Sequence, residues 1–236
     1  LYKGKVFSAE EKLRGVLTGL PTVEKTLVIR DTGGTAPTDV AGAMDFAEFM
    51  NSAPDGELEF PRFAFDHPLY ILFSSGTTGK PKCITHGAGG TLLQHLKEHR
   101  LHSDLREGDR FFYFTTTGWM MWNWLVTGLA SGATLLLFDG SPFHPGPRVL
   151  WNMAEEERVT HFGTSAKYID ACKKVGLRPG ESHDLADLRV LFSTGSPLAP
   201  ESFDWVYDAV KSDLQLASIA GGTDIVSCFM LGNPVL

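Results

Sequence analysis

Hydrophobic positions follow two rhythms along the chain. Leu13, Val16, Leu17 and Leu20 recur three or four residues apart, which predicts an amphipathic helix over 8–20. Ser8 and Glu11 have the spacing of a capping box at its start. Residues 23–29 read as a strand. Residues 31–66 are rich in Gly, Pro, Asp and Ala, and read as a long excursion with one short helical piece over 45–50. From Pro68 onward the order is regular. Short apolar runs predict strands at 69–73, 83–85, 111–114, 134–138, 159–162, 188–192 and 214–219. The patterns between them predict helices at 90–101, 119–130, 149–157, 166–175 and 201–210. Gly176 sits where a helix C-terminus wants glycine. Pro200 stands near the first turn of the last helix, whose buried face is marked by Phe203, Val206, Tyr207 and Val210. This alternation predicts an α/β fold of mostly parallel sheets flanked by helices. Ligands in such sheets bind beyond the carboxyl ends of the strands.

One stretch raises the question of a membrane. Residues 111–138 carry no charge, and a membrane-spanning helix needs about 20 apolar residues. The stretch divides into strand, helix and strand, and it contains Thr115, Thr116, Thr117, Gly118, Asn123, Gly128, Ser131 and Gly132. Buried parallel strands give such uncharged runs, so no membrane span is expected.

Composition narrows the function class. The chain has 236 residues, 43% apolar and 21% charged, with a net charge of −7. That is a globular balance, and its sign does not suit a nucleic-acid partner. Cys83, Cys172 and Cys228 are widely spaced and make no C-x-x-C, which argues for a reducing, cytosolic setting without a disulfide framework or zinc site. Cys83 and Cys228 read as small buried apolar residues. The chain begins at Leu1 and ends at Leu236, and is expected to be an internal piece of a longer one.

The strongest candidate for chemistry follows the strand at 69–73. Ser74, Ser75, Gly76, Thr77, Thr78, Gly79, Lys80, Pro81 and Lys82 pack hydroxyls, glycines and lysines together. Glycines let backbone amides turn toward an anion, and hydroxyls and lysines add donors and charge. A di- or triphosphate requires such a set. It is not the G-x-x-x-x-G-K-[ST] loop of phosphotransferases, because position 74 is Ser and Lys80 is followed by Pro81.

Residues 74–82 resemble the phosphate-binding signature of the adenylate-forming acyl-CoA synthetase superfamily, with Cys83 where that signature usually continues with Gly. Other segments agree in order and spacing, along almost the whole chain. Residues 188–197 resemble the strand and turn that hold adenine, which places Gly195, Ser196 and Pro197 against the base. Gly221, Gly222, Thr223 and Asp224 resemble a later motif that usually ends in Thr-Glu. The resemblance implies that Thr223 touches the α-phosphate and Asp224 helps hold Mg2+. Asp224 has one methylene less than the usual Glu. With Ser218, Gly221 and Gly222, Thr223 marks where nucleotide and acyl group meet. Residues 117–124, Thr117 to Trp124, resemble the helix start that lines the acyl pocket in the acetyl-CoA synthetase branch, with Trp119, Met120, Met121 and Trp122 as the expected pocket residues.

What the resemblance implies is a two-step reaction on acetoacetate with ATP, Mg2+ and coenzyme A. The acid is activated as an acyl-adenylate with loss of pyrophosphate, and the thiol then displaces AMP. Lys80, Thr223 and Asp224 are the residues expected to serve the chemistry. Acetate, propionate or another short acid is the alternative substrate, and a non-catalytic nucleotide-binding homologue the alternative class. The partners implied are small molecules, with no nucleic acid, membrane span or obligate protein partner. The resemblance also places a ribose-binding Asp, an Arg and a mobile C-terminal domain with a catalytic Lys beyond Leu236, and an N-terminal region before Leu1. All 236 residues would then be the central part of the AMP-binding domain, inactive alone in the complete reaction.

Three further signals are set aside or left open. His95 and His99 lie four apart, but Glu98 is not next to the first His as a zinc H-E-x-x-H requires. Lys97 and Arg100 beside them predict a solvated helix face. Glu155, Glu156 and Glu157 read as a solvated helix end. His86 follows the phosphate loop closely and suits a ligand contact or a structural role.

Overall fold

The computed structural model describes residues 3, 5–29, 40, 42–54, 56–74 and 79–235. They form two compact units, Leu1–Pro61 and Arg62–Leu236. Ser75, Gly76, Thr77 and Thr78 of the expected phosphate loop, and residues 31–39, 41 and 55 of the excursion, lie outside the described residues.

The first unit contains α1 (Glu10–Thr18), β1 (Thr26–Val28), β2 (Ala43–Asp45) and α2 (Phe46–Asn51), with β1 and β2 paired in parallel. The expected capping box does not form. Ala9 is the cap, and Ser8 Oγ accepts only from the Glu10 amide, at 3.3 Å. Leu13 and Leu17 are half-buried, whereas Val16 and Leu20 are exposed. At α2 the Asp45 carboxylate accepts from the Ala47 amide at 2.8 Å, satisfying a donor that the first turn cannot.

The second unit opens with β3 (Pro68–Ser74) and β4 (Lys82–Gly87). Next come α3 (Ala88–Lys97), a π-helical turn at Glu98–His102 and β5 (Arg110–Tyr113). Then follow α4 (Met120–Thr127), a 3-10 turn at Gly128–Ser131, β6 (Thr134–Leu136), α5 (Val149–Glu156), β7 (His161–Ser165), α6 (Ala166–Lys174) and α7 (Pro179–Ser182). β8 (Val190–Thr194), α8 (Pro200–Ala209) and β9 (Gln215–Ser218) lead to a terminal hairpin of β10 (Ala220–Gly222) and β11 (Ser227–Met230).

The fold is α/β. Five strands form one sheet in the order β6-β5-β7-β8-β9, and every neighbouring pair is parallel. The uncharged run at 111–138 supplies β5, α4 and β6, and among the described residues no helix is long and apolar enough to cross a membrane.

The hairpin of β3 and β4 corrects one expectation. These strands stand outside the parallel sheet and pair antiparallel. The reason is in the chain: residues 75–81 are too few for a parallel crossover, which takes about a dozen. Ser74 faces Lys82 across the ladder, Phe73 faces Cys83, and Tyr70 faces His86. Cys83 is exposed and Cys228 half-buried, neither being the buried residue expected, while Cys172 is buried.

Alternation along the strands sends side chains to opposite faces. Phe112, Phe162 and Leu191 face α5, α6 and α8, where they meet Leu150, Trp151, Ile169 and Val206. Trp151 stacks on Phe162 with ring centroids 4.9 Å apart. On α8, Tyr207 is exposed, and Ser202 and Ala209 share the buried face instead. Phe111, Tyr113, Val190 and Phe192 face the other way, toward Met121, Trp124 and Leu125 of α4. Residues apolar on both faces are what made these strands visible as continuous runs.

Candidate active site

The carboxyl ends of β8 and β9 are stitched together before the chain turns away. The Ile219 amide donates to the Ser193 carbonyl at 2.7 Å, and the Thr194 hydroxyl donates to the Ile219 carbonyl at 2.9 Å. Beyond β8 the backbone turns at Gly195 with φ +88°, a region that side-chain-bearing residues rarely adopt. A Cβ at Gly195 would lie 3.9 Å from Cζ2 of Trp119, so the turn sits against the start of α4. Beyond β9, β10 and β11 fold back tightly. A Cβ at Gly221 would lie 2.1 Å from the Ser227 carbonyl oxygen, and only glycine allows that approach.

These pieces enclose one cavity of about 660 Å³. Its lining brings together Trp119, Met120, Met121, Gly195, Ser196, Pro197, Ser218, Gly221, Gly222 and Thr223, all of them expected site residues. Trp122 does not line it; it packs half-buried in the core, and Trp124 takes the wall position instead. Asp224 is exposed and outside the lining, as are Gly79, Lys80 and Lys82, while Ser74 is half-buried.

The hairpin of β3 and β4 is nevertheless tied to this site. His86 Nε2 lies 2.9 Å from the Thr223 carbonyl oxygen and donates to it. His86 thus couples β4 to the Thr223 turn, a structural role.

A polar cluster expected in solvent is instead buried beside the cavity, with Glu98 in the cavity lining. His95, Glu98 and His99 are buried, each at most 1% exposed, while Lys97 and Arg100 point outward. The solvated-face expectation therefore fails for the inward stripe. Glu98 Oε2 accepts from Trp124 Nε1 at 2.8 Å. Its Oε1 accepts from Gln94 Nε2 at 2.8 Å, from the Ser227 hydroxyl, and from the Cys228 amide at 3.4 Å. His95 Nε2 donates to the Val226 carbonyl, and its Nδ1 lies 3.0 Å from Thr127 Oγ1. His99 packs edge-on against Trp124 with ring centroids 4.4 Å apart.

Burial opposes the Glu98 charge, but hydrogen bonds from Ser227, Trp124, Gln94 and Cys228 outweigh it and hold the carboxyl below its usual range. Burial, helped by nearby His95 and His161, pushes His99 down to about 3. Burial also lowers His95. The Cys228 thiol is pushed up to about 12, by burial and by Glu98. At neutral pH the cluster therefore holds one negative charge and no positive one.

No group of three or more His, Cys, Asp or Glu among the described residues is arranged to hold a metal ion. Mg2+ travelling with a nucleotide needs only one or two carboxylates besides the phosphates, and the exposed Asp224 beside Thr223 fits that requirement.

Comparison with known proteins agrees with this geometry. A family model described as AMP-binding enzyme matches residues 6–234. The chain belongs to the AMP-binding enzyme family. Within it, the chain is 59% identical over 236 residues to acetoacetyl-coenzyme A synthetase of Rhizobium meliloti (strain 1021). It is 47% identical over 241 residues to acetoacetyl-CoA synthetase of Gallus gallus. Each alignment covers 99% of this chain and 36% of the relative. The solved structure of acetoacetyl-CoA synthetase from Streptomyces lividans superimposes with a TM-score of 0.92 at 44% identity, covering 100% of this chain and 36% of that one. The chain thus spans about a third of the length of these relatives.

Proposed function

We propose that this chain is the nucleotide- and acid-binding core of a longer acetoacetate–CoA ligase, the central part of its AMP-binding domain. The observation that carries the reading is the single cavity shared by the Gly195 turn, the Thr223 turn and the Trp119–Met121 helix start. Adenine packs against Gly195, Ser196 and Pro197. The acid enters beside Trp119, Met120, Met121 and Trp124. The donor-rich segment from Ser74 to Lys82, with Lys80, holds the β- and γ-phosphates.

The reaction needs no side-chain nucleophile. A carboxylate oxygen of acetoacetate attacks the α-phosphorus of ATP, and the bond to pyrophosphate breaks. The coenzyme A thiolate then attacks the acyl carbon, and AMP leaves. Thr223 steadies the α-phosphate, and Lys80 offsets charge on the departing pyrophosphate. Asp224 helps hold Mg2+, which supplies charge neutralisation on the phosphates. A largely apolar wall keeps water from the mixed anhydride. The free cysteines suit a reducing compartment such as the cytosol.

The test is acid-dependent ATP–pyrophosphate exchange by the full-length protein, offered acetoacetate, acetate, propionate and butyrate. Exchange strongest with acetoacetate is expected. Exchange strongest with another acid overturns the substrate but keeps the chemistry. ATP binding without exchange overturns the ligase reading in favour of a non-catalytic homologue. The chain alone is expected to form no acetoacetyl-CoA, and detecting that product would contradict its description as a core that needs further domains.

A further inference from the structure

Among the described residues, Glu98 is the one charged residue lining the cavity. It is 1% exposed, and among the described residues no Lys or Arg pairs with it. Burying a carboxylate without a cation is costly, so its five donors from Gln94, Trp124, Ser227 and Cys228, on α3, α4 and β11, serve to keep it. The buried titratable groups of the same cluster carry no positive charge: His95 and His99 are neutral at pH 7, and the Cys228 thiol is protonated. Lys97, the cation that acts on Cys228, is exposed and not paired with Glu98. The acid pocket thus carries a fixed, uncompensated negative charge in its wall.

That charge solves a problem that shape cannot. Malonate has nearly the outline of acetoacetate, with a second carboxylate where acetoacetate has a methyl ketone. A pocket that measures outline alone discriminates poorly between such isosteres. A like charge in a poorly solvated wall discriminates strongly, by repulsion rather than by fit. The same repulsion turns the carboxylate of a monoacid away from Glu98, toward the nucleotide.

We propose that Glu98 sets the acid specificity of this site by excluding acids that carry a second carboxylate. The proposal rests on reading the cavity as the place where the acid is activated. Trp124, whose indole N–H is held by Glu98, forms the adjoining wall and fixes the carboxylate in place.

The experiment measures exchange by the full-length protein with acetoacetate, malonate and the half-amide of malonate, which keeps the outline and loses the charge. The wild-type protein is expected to use the half-amide and to refuse malonate. Equal use of malonate and acetoacetate overturns the proposal without any variant. In Glu98→Gln, the malonate-to-acetoacetate ratio of kcat/KM is expected to rise about tenfold or more. Both values come from one preparation, so the ratio is insensitive to the fraction folded. An unchanged ratio overturns the proposal. If Glu98→Gln exchanges no acid, the wild-type comparison of malonate with its half-amide decides. No exchange by the wild type with any acid sinks the ligase reading instead.

Discussion

The two faces of the five-stranded sheet are built on opposite plans. Under α5, α6 and α8 the sheet meets a mainly apolar layer, where Trp151 stacks on Phe162 and Leu150, Ile169 and Val206 close the gaps. Under α4 and the π-helical turn it meets aromatic rings interleaved with buried His95, Glu98, His99 and His161, and the cavity opens at that end. One face accounts for cohesion. The other spends part of its burial on polar groups whose partners come from distant stretches of chain. The same strands serve both, because alternate residues point to opposite sides.

The comparison can be broken most severely at Trp151. Trp151→Ala removes a side chain that is 1% exposed, so chemical denaturation is expected to show a loss of about 3–5 kcal/mol. The relative use of different acids is expected to stay as it was; a changed preference would mean that the faces are not separate in function. The opposite face is probed by Trp124→Phe, which leaves one donor to the buried Glu98 missing. A loss of about 1.5–3 kcal/mol is expected, together with a raised KM for the acid; stability loss with an unchanged KM would remove Trp124 from the site.

A smaller effect is expected at the Gly195 turn. With φ at +88°, Gly195→Ala is strained by about 1–2 kcal/mol, and KM for ATP is expected to rise more than KM for the acid. An effect on the acid alone would move the base elsewhere.

The remaining probe is pH, whose effect is spread over several groups. His99 is lowered to about 3, and burial also lowers His95 and His161 from the ordinary 6.5. Between those values the unfolded chain binds more protons than the folded one. For His99 and His161 the stability so contributed is full above pH 6.5 and falls as pH drops toward their folded values of about 3 and about 4, by about 1 kcal/mol per histidine per pH unit; His95 acts in the same direction. Glu98, held below its usual range, acts in the same direction at lower pH. Melting temperatures measured from pH 7.5 to 5 should decline; a flat profile would show that the rings are not buried neutral.

Legibility in the sequence divides along the same line. β5 and β8, and helices α6 and α8, were readable because apolar runs and helical spacing are local signals. The Gly195 and Thr223 turns were legible as site segments through the resemblance of residues 188–197 and 221–224 to motifs of the superfamily. The polar stripe of Thr91, His95, Glu98 and His99 also has helical spacing, yet it reads as solvent-facing because its side chains are polar. What buries it is Thr127, Trp124, Val226 and Ser227, up to 131 residues away in sequence. The β10–β11 hairpin was missed for a similar reason, since short glycine-rich strands carry little propensity of their own. Trp124 rather than Trp122 reaches the cavity, because the likeness of residues 117–124 to the pocket helix does not fix which of its side chains meet the cavity.

The most direct test of the account is the structure of the full-length protein with an unreactive alkyl adenylate bound. The account predicts adenine against Gly195, Ser196 and Pro197, the phosphate beside Thr223, and the alkyl chain between Trp119, Met121 and Trp124 with its end toward Glu98. A nucleotide bound elsewhere, with this cavity left empty, would contradict it.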